Sequence, residues 1–246
     1  MPKKSFEIGL VMAGAVSAGA YTAGVIDFLL QALEEWQKEK ESGNTQAPPH
    51  EVKIKVVAGA SAGGMTGAIL TAMLNDDFSP ITSLPGKEPG TEQIDKNKLY
   101  KSWVDQVDIK QLLQENDLKP KGSKVRSLLD SSVLDEVADS AISFSSGESR
   151  RSYISEPLHL YLTLTNLQGI PYDIQFEGTS GKGHAISRHT DFLHFVLSRD
   201  NPDIKEAEWL NPSDGNSASW KLLKKGCTRY RCISGRTCSS SNAKTI

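Results

Sequence analysis

Within its first 75 residues the chain twice repeats one local pattern: a short apolar strand, a glycine-rich turn and a helix. Residues 6–12 (FEIGLVM) read as a buried strand and run into the small-residue segment AGAVSAG, Ala13–Gly19. A long helical pattern follows. In it Tyr21, Val25, Phe28, Leu29, Leu33 and Trp36 recur at three- and four-residue steps, which predicts one apolar stripe. Residues 52–58 (VKIKVVA) predict the second strand, GASAGG the second turn, and MTGAILTAMLN a helix apolar almost all round and therefore buried. Strand, turn and helix in that order, twice over, predict an α/β architecture with a mainly parallel sheet.

The rest of the chain is less regular. Asp76–Asp95 is rich in Pro, Gly and Ser and reads as a long excursion. Amphipathic helical patterns cover about 97–115 (Leu99, Trp103, Val107, Leu112) and 125–142 (Val125, Leu128, Leu129, Val133, Leu134, Val137), a helical insertion spanning about 97–142. Leu158, Leu160, Leu162 and Leu164 alternate with His159, Tyr161, Thr163 and Thr165 at the period of a strand. Gln168-Gly169 breaks that run, and IPYDIQF is expected to return as its hairpin partner. Residues 178–220 read as loop around one apolar patch, Phe192–Leu197, and no internal repeat is present.

The 246 residues carry 28 basic and 30 acidic side chains and are 38% hydrophobic, which suits one fairly large domain or two small ones. The charge is uneven. From Lys221 to Ile246 there are seven basic residues and no acidic one, so residues 1–220 hold 21 basic against 30 acidic, a balance of −9. A body of that sign offers no footprint for nucleic acid. No apolar run reaches the eighteen or so residues of a membrane span, and the N-terminus lacks a secretory apolar region with a cleavage site. The expected location is cytoplasmic or peripheral to a membrane. The three cysteines, Cys227, Cys232 and Cys238, lie in the tail without the partner His or CxxC spacing of a metal site, so no metal or other cofactor is expected.

Gly59-Ala60-Ser61-Ala62-Gly63 is a G-x-S-x-G motif set between a predicted strand and a predicted helix. That setting suits a nucleophile: a sharp strand-to-helix turn presents the hydroxyl at the carboxyl edge of the sheet, beside the positive end of the helix dipole. Ser61 as a simple helix cap is the competing reading. Acyl transfer also needs main-chain N–H donors aimed at an oxyanion, and Gly14, Ala15 and Gly19 in the first turn are placed to supply them. A dinucleotide fingerprint competes for that turn, but Val16 stands where the middle glycine would let a pyrophosphate approach. The acids at the ribose offset, Glu34 and Glu35, fall on a helix face. A purely structural turn is the third reading.

With both turns placed, the chain resembles the patatin-like phospholipases. The likeness covers Ala13–Leu29 (AGAVSAGAYTAGVIDFL) and Val56–Leu70 (VVAGASAGGMTGAIL). More loosely it extends to LYKSWV from Leu99 and to SLLDSSVLDE (Ser127–Glu136), which are typical of a bacterial patatin-related subgroup. The resemblance implies a three-layer α/β/α fold with a mainly parallel central sheet. It also implies lipid acyl hydrolase activity through a Ser–Asp dyad, with no metal or cofactor, a lipid or phospholipid ester as substrate and possible peripheral membrane contact. Ser61 would be the nucleophile in the Gly59–Gly63 elbow, and main-chain N–H groups of Gly14, Ala15, Gly19 and Ala62 the oxyanion hole. The family loop usually reads G-G-G-x-[KR]-G; here Ala15, Val16 and Ala18 replace two glycines and the basic residue.

The family's acid lies in a D-G-[GA] motif, and the one Asp-Gly pair after Ser61 is Asp214-Gly215, in the turn-like NPSDGNSAS. Asp214 is therefore a weak candidate. The tail offers a reason: reverse translation of GCTRYRCISGRTCSS, shifted by one nucleotide, can give DALATGAFPVGLARR, similar to the block that precedes the family's acid. The expectation is a partial hydrolase domain over residues 1–225, incomplete at its C-terminus, and an out-of-frame, disordered tail over 226–246. Sequencing the coding DNA tests this. Two rivals remain: a Ser-His-Asp hydrolase using His159, His184, His189 or His194, and a non-catalytic lipid-binding or scaffold protein on a decayed hydrolase fold.

Overall fold

The computed structural model describes residues 5–15, 19–81, 89–116, 129–130, 132–143, 151–174 and 183–228. Both strand–turn–helix units form. The first strand, however, is an edge strand in which only Met12 is buried, not a buried strand, and Tyr21, Val25 and Phe28 of the first helix face outward. Strand β1 (Ser5–Met12) leads to helix α1 (Gly19–Glu41), and β2 (Glu51–Ala60) leads to α2 (Ala62–Met73). The long strand β3 (Ile154–Ile174), β4 (His184–Leu197) and the short β5 (Glu208–Leu210) complete a sheet of order β1-β2-β3-β4-β5. β1, β2 and β3 run parallel, β4 is antiparallel to β3, and β5 is parallel to β4. The molecule is thus α/β with a mainly parallel open sheet.

Successive crossovers from β1 to β2 to β3 move in one direction across the sheet. Right-handed crossovers that never reverse put their helices on one face, and this is what is seen. Every residue of α2 is buried, and Val57, Leu158, Leu160, Phe195 and Leu197 from the sheet share one core with Ile26, Leu30, Ile69 and Leu70 from the helices. Within α2, the Thr66 and Thr71 hydroxyls donate to the carbonyls of Ala62 and Gly67, which satisfies both in the dry interior. The side chains of β1 to β4 that point the other way, among them Val11, Ala58, Tyr161 and Phe192, carry no helical layer among the described residues; Val11 is 84% exposed.

The helical insertion is broken into pieces: α3 (Thr91–Lys96), α4 (Lys98–Tyr100), a π-helical segment Lys101–Gln106, α5 (Ile109–Leu112) and α6 (Ser132–Ala141). Leu99, Trp103 and Val137 are buried as the periodicity predicts. The predicted helix over 125–142 is confirmed from Ser132 onward; Val125 and Leu128 lie outside the described residues. Arg151 ties these parts together. Its guanidinium donates to the carbonyls of Leu74, Asp76 and Phe78 beyond the end of α2, lies on the Phe78 ring, and pairs with Glu34 of α1 at 3.0 Å.

Further predicted features are corrected. IPYDI does not return as a hairpin partner; it continues β3, and its partner is His184–Arg188 at the start of β4. Residues 178–220 are not mainly loop, since β4, β5 and the start of α7 (Ala218–Thr228) occupy much of them. The first half of β4 (HAISRHT) is exposed on both faces, so no apolar alternation marks it as a strand. The boundary drawn at Gly226 also cuts through α7, which continues to Thr228; the remainder of the tail lies outside the described residues.

Candidate active site

Ser61 stands between the last residue of β2 and the first of α2, with φ 52° and ψ −122°. That conformation is one L-residues avoid, and holding it costs about 1–3 kcal/mol. The residue is exposed, and its hydroxyl makes no capping bond to the helix; only its carbonyl takes part, accepting from the Met65 N–H at 3.0 Å. The helix-cap reading therefore finds no bond to rest on.

The glycines explain how the turn is held. A Cβ on Gly59 would stand 2.3 Å from the carbonyl of Gly63, and one on Gly63 would stand 2.3 Å from the Met12 oxygen and 2.7 Å from the Ala13 oxygen. Both flanking positions are thus closed to any side chain, one by the turn itself and the other by the end of β1. A Cβ on Gly14 would lie 2.9 Å from Ser61 Cβ and 3.7 Å from its Oγ. The two glycine turns are in direct contact, with Gly14 main chain against the Ser61 side chain. Ala62 opens α2, so its N–H is among those without an intrahelical acceptor. Gly19 plays a different part, beginning α1 where the Trp103 ring packs against its main chain. Val16–Ala18 lie outside the described residues.

A small cleft opens beside Ser61, lined by Gly64, Met65, Leu162, Thr163, Leu164, Gly226 and Cys227. Met65, Leu162 and Leu164 give it an apolar side, and Ser61 and Thr163 a polar one. The glycine motif does not reveal its walls: β3 contributes through its register, in which Thr163 lies opposite Ala60, and α7 contributes through its last turn. Burial pushes the Cys227 thiol up to about 12, so it stays protonated and is no base.

Among the described residues, no carboxylate or imidazole lines the cleft. Asp214 is not brought to Ser61. It sits in an exposed turn ahead of α7, past Leu210, which pairs through Leu197 to the level of Leu158; Ser61 lies beyond the level of Thr163. Those levels are about 16 Å apart along the strands, and Asp214 is on the far side. His159 and His194 lie on the uncovered sheet face, bonded to each other at 3.0 Å. His189 approaches the Asn166 carbonyl at 2.8 Å on the projecting end of β3 and β4, where His184 also lies. The acids considered for a ribose contact are engaged elsewhere: Glu34 accepts from Arg151 and Tyr153, and Glu35 pairs with Lys38.

No family model matches the chain, and no solved structure matches it. A curated relative is the "Uncharacterized protein y4iI" of Sinorhizobium fredii (strain NBRC 101917 / NGR234), 39% identical over 203 residues. The match covers 79% of this chain and 28% of the relative, so the chain spans a little over a quarter of that protein's length.

Proposed function

We propose that this chain carries the nucleophile and oxyanion-binding half of a patatin-like serine acyl hydrolase acting on lipid esters. The observation that carries this reading is the contact between the two turns: a strained, solvent-exposed Ser61 against the main chain of Gly14. In the reaction, Ser61 Oγ attacks the ester carbonyl carbon while its proton passes to a carboxylate. The N–H groups of Gly14, Ala15 and Ala62 receive the charge that develops on oxygen. The carbon–oxygen bond to the alcohol then breaks, and water releases the fatty acid from the acyl-enzyme. The acyl chain runs past Met65, Leu162 and Leu164 at the mouth of the small cleft. The finer fold belongs to the same reading: a three-layer α/β/α sandwich, supported by the rule that parallel sheets are covered on both faces. No helix among the described residues is long and apolar enough to cross a membrane, and contact with lipid is proposed as peripheral.

The carboxylate is the part that the described residues lining the cleft do not supply. Turnover by this chain is therefore expected to lie on the order of 10²–10⁴ below that of a form with a base in place. Treatment with a fluorophosphonate probe should give an adduct on Ser61 that Ser61→Ala abolishes, alongside slow hydrolysis of a p-nitrophenyl ester. Replacing His159, His184, His189 or His194 should leave labelling unchanged. The bare cleft also favours a second reading, a non-catalytic lipid-binding scaffold; absence of any Ser61 adduct would select it.

A further inference from the structure

The first glycine turn is gripped at both ends. Where it leaves β1, the Met12 and Ala13 oxygens press on Gly63 of the second turn, and Gly14 lies against the Ser61 side chain. Where it enters α1 at Gly19, the Trp103 ring fills the room a side chain would need. A Cβ on Gly19 would lie 2.3 Å, 2.4 Å and 2.5 Å from Cζ3, Cε3 and Cη2 of that ring. These atoms belong to the six-membered ring of the indole, whose outer edge a phenylalanine would not reach. Three residues separate Ala15 from Gly19, at most about 14 Å of chain. The place where α1 starts therefore limits where the main chain of Gly14 and Ala15 can stand.

Trp103 is presented by irregular backbone. It belongs to the π-helical segment Lys101–Gln106, at whose end the Val107 N–H donates to the carbonyl of Ser102, five residues back. Such π turns are rare and recur at functional sites. The indole N–H of Trp103 and the hydroxyl of Ser102 are buried and find no hydrogen-bond partner among the described residues. An unsatisfied buried donor destabilises a fold, and a phenylalanine or leucine would fill core space without it. Trp103 is 8% exposed, and its segment packs against α1 and α6. It is not among the residues lining the cleft beside Ser61, so its route to the site runs through Gly19.

We propose that Trp103 is a positioning residue for the oxyanion loop. Its ring fixes the first residue of α1 and thereby holds the N–H groups of Gly14 and Ala15 where attack by Ser61 requires them. This inference rests on the acyl-hydrolase reading of Ser61. A merely structural Trp103 would make reactivity at Ser61 follow the stability of the fold. A positioning Trp103 lets reactivity fall while stability holds, because main-chain donors aimed at developing charge lose their effect over displacements of about 1 Å.

Fluorophosphonate labelling of the full 246-residue chain, resolved into a probe-binding constant and a maximal labelling rate, tests this beside urea unfolding. Charge develops on the phosphoryl oxygen of the probe as Ser61 attacks, so the probe reads the same donors as an ester. Trp103→Phe should lower the maximal rate about tenfold or more and leave the binding constant unchanged. Its urea midpoint should stay near that of the wild type, since removal of the orphaned N–H offsets the lost ring area. Gly19→Ala should slow labelling to a similar degree, because its Cβ displaces either the ring or the helix. In a Trp103→Leu background, Gly19→Ala should slow it no further, because the space it needs is free. Val104→Ala, on the exposed side of the same segment, should label as the wild type does. Wild-type labelling of Trp103→Phe overturns the proposal, as do Gly19→Ala and Trp103→Leu effects that simply add. No Ser61 adduct on the wild-type chain overturns the hydrolase reading itself, and this inference with it.

Discussion

At position 61 one residue carries a conformational cost that its neighbours force on it. The φ of 52° is held because Gly59, Gly63 and Gly14 let three stretches of main chain close around the turn. Glycine adopts positive φ without the Cβ penalty, so Ser61→Gly should raise stability by about 1 kcal/mol or more in urea unfolding while abolishing probe labelling. A variant no more stable than the wild type would show that the turn stores no strain. Much of this local geometry is legible beforehand, because G-x-S-x-G between a strand and a helix is a statement about neighbouring residues. The walls of the cleft are not. Leu162 and Thr163 reach Ser61 through the pairing of β3 with β2, and Cys227 through the path of α7. Both are non-local facts that no spacing encodes.

Elements are legible wherever one face meets the core and the other meets water. That condition holds for β1, β2 and the Leu158–Leu164 run, and fails for the ribbon half of β4, whose two faces look alike to solvent. α1 shows a subtler failure: its length and type are evident, but Tyr21, Val25 and Phe28 are as apolar as the buried set, so periodicity alone picks the wrong stripe. What orients the helix is a polar anchor. Asp27 accepts from Asn97 Nδ2 at 2.6 Å and from the Ile81 N–H at 2.7 Å, joining α1 to the start of α4 and to the segment after α2. Burial, the largest influence, raises the Asp27 carboxyl above its ordinary 3.8, although both hydrogen bonds oppose the shift. A carboxyl that holds its proton more tightly when folded gives stability that is full below the unfolded value and lost as pH rises through the folded one. Asp27→Asn should be less stable, since an amide offers one acceptor where two donors converge. The wild-type advantage in Tm should shrink as pH increases from about 4. An advantage that stays constant or widens would rule out an ionising Asp27.

Among the described residues the molecule is a sheet with one finished face. The helices settle on one side because the strands are laid down in order without reversal, a consequence of topology that the local pattern of strands and helices leaves open. The other face keeps Val11 and Phe192 exposed, and beside them lies a pair of polar rings whose protonation is coupled to folding. His159 Nδ1 and His194 Nε2 are 3.0 Å apart, and Tyr161 stacks on His194 at 4.2 Å between centroids. Both imidazoles are held below the ordinary 6.5, chiefly by burial. The Lys55 charge adds to this at His159, and His159 itself adds at His194, where Glu206 opposes it. Two bases that stay neutral in the folded chain let the unfolded chain bind protons first. Their contribution is complete above about pH 6.5 and is lost as pH falls toward the folded values. His194→Phe keeps a ring against Tyr161 but removes one titrating group and the pair's hydrogen bond. The urea midpoint of the wild-type chain should therefore fall more steeply between pH 7 and pH 5 than that of the variant. Equal slopes would mean that the pair titrates alike in the folded and unfolded chains, and that this face of the sheet takes no part in the acid sensitivity of the fold.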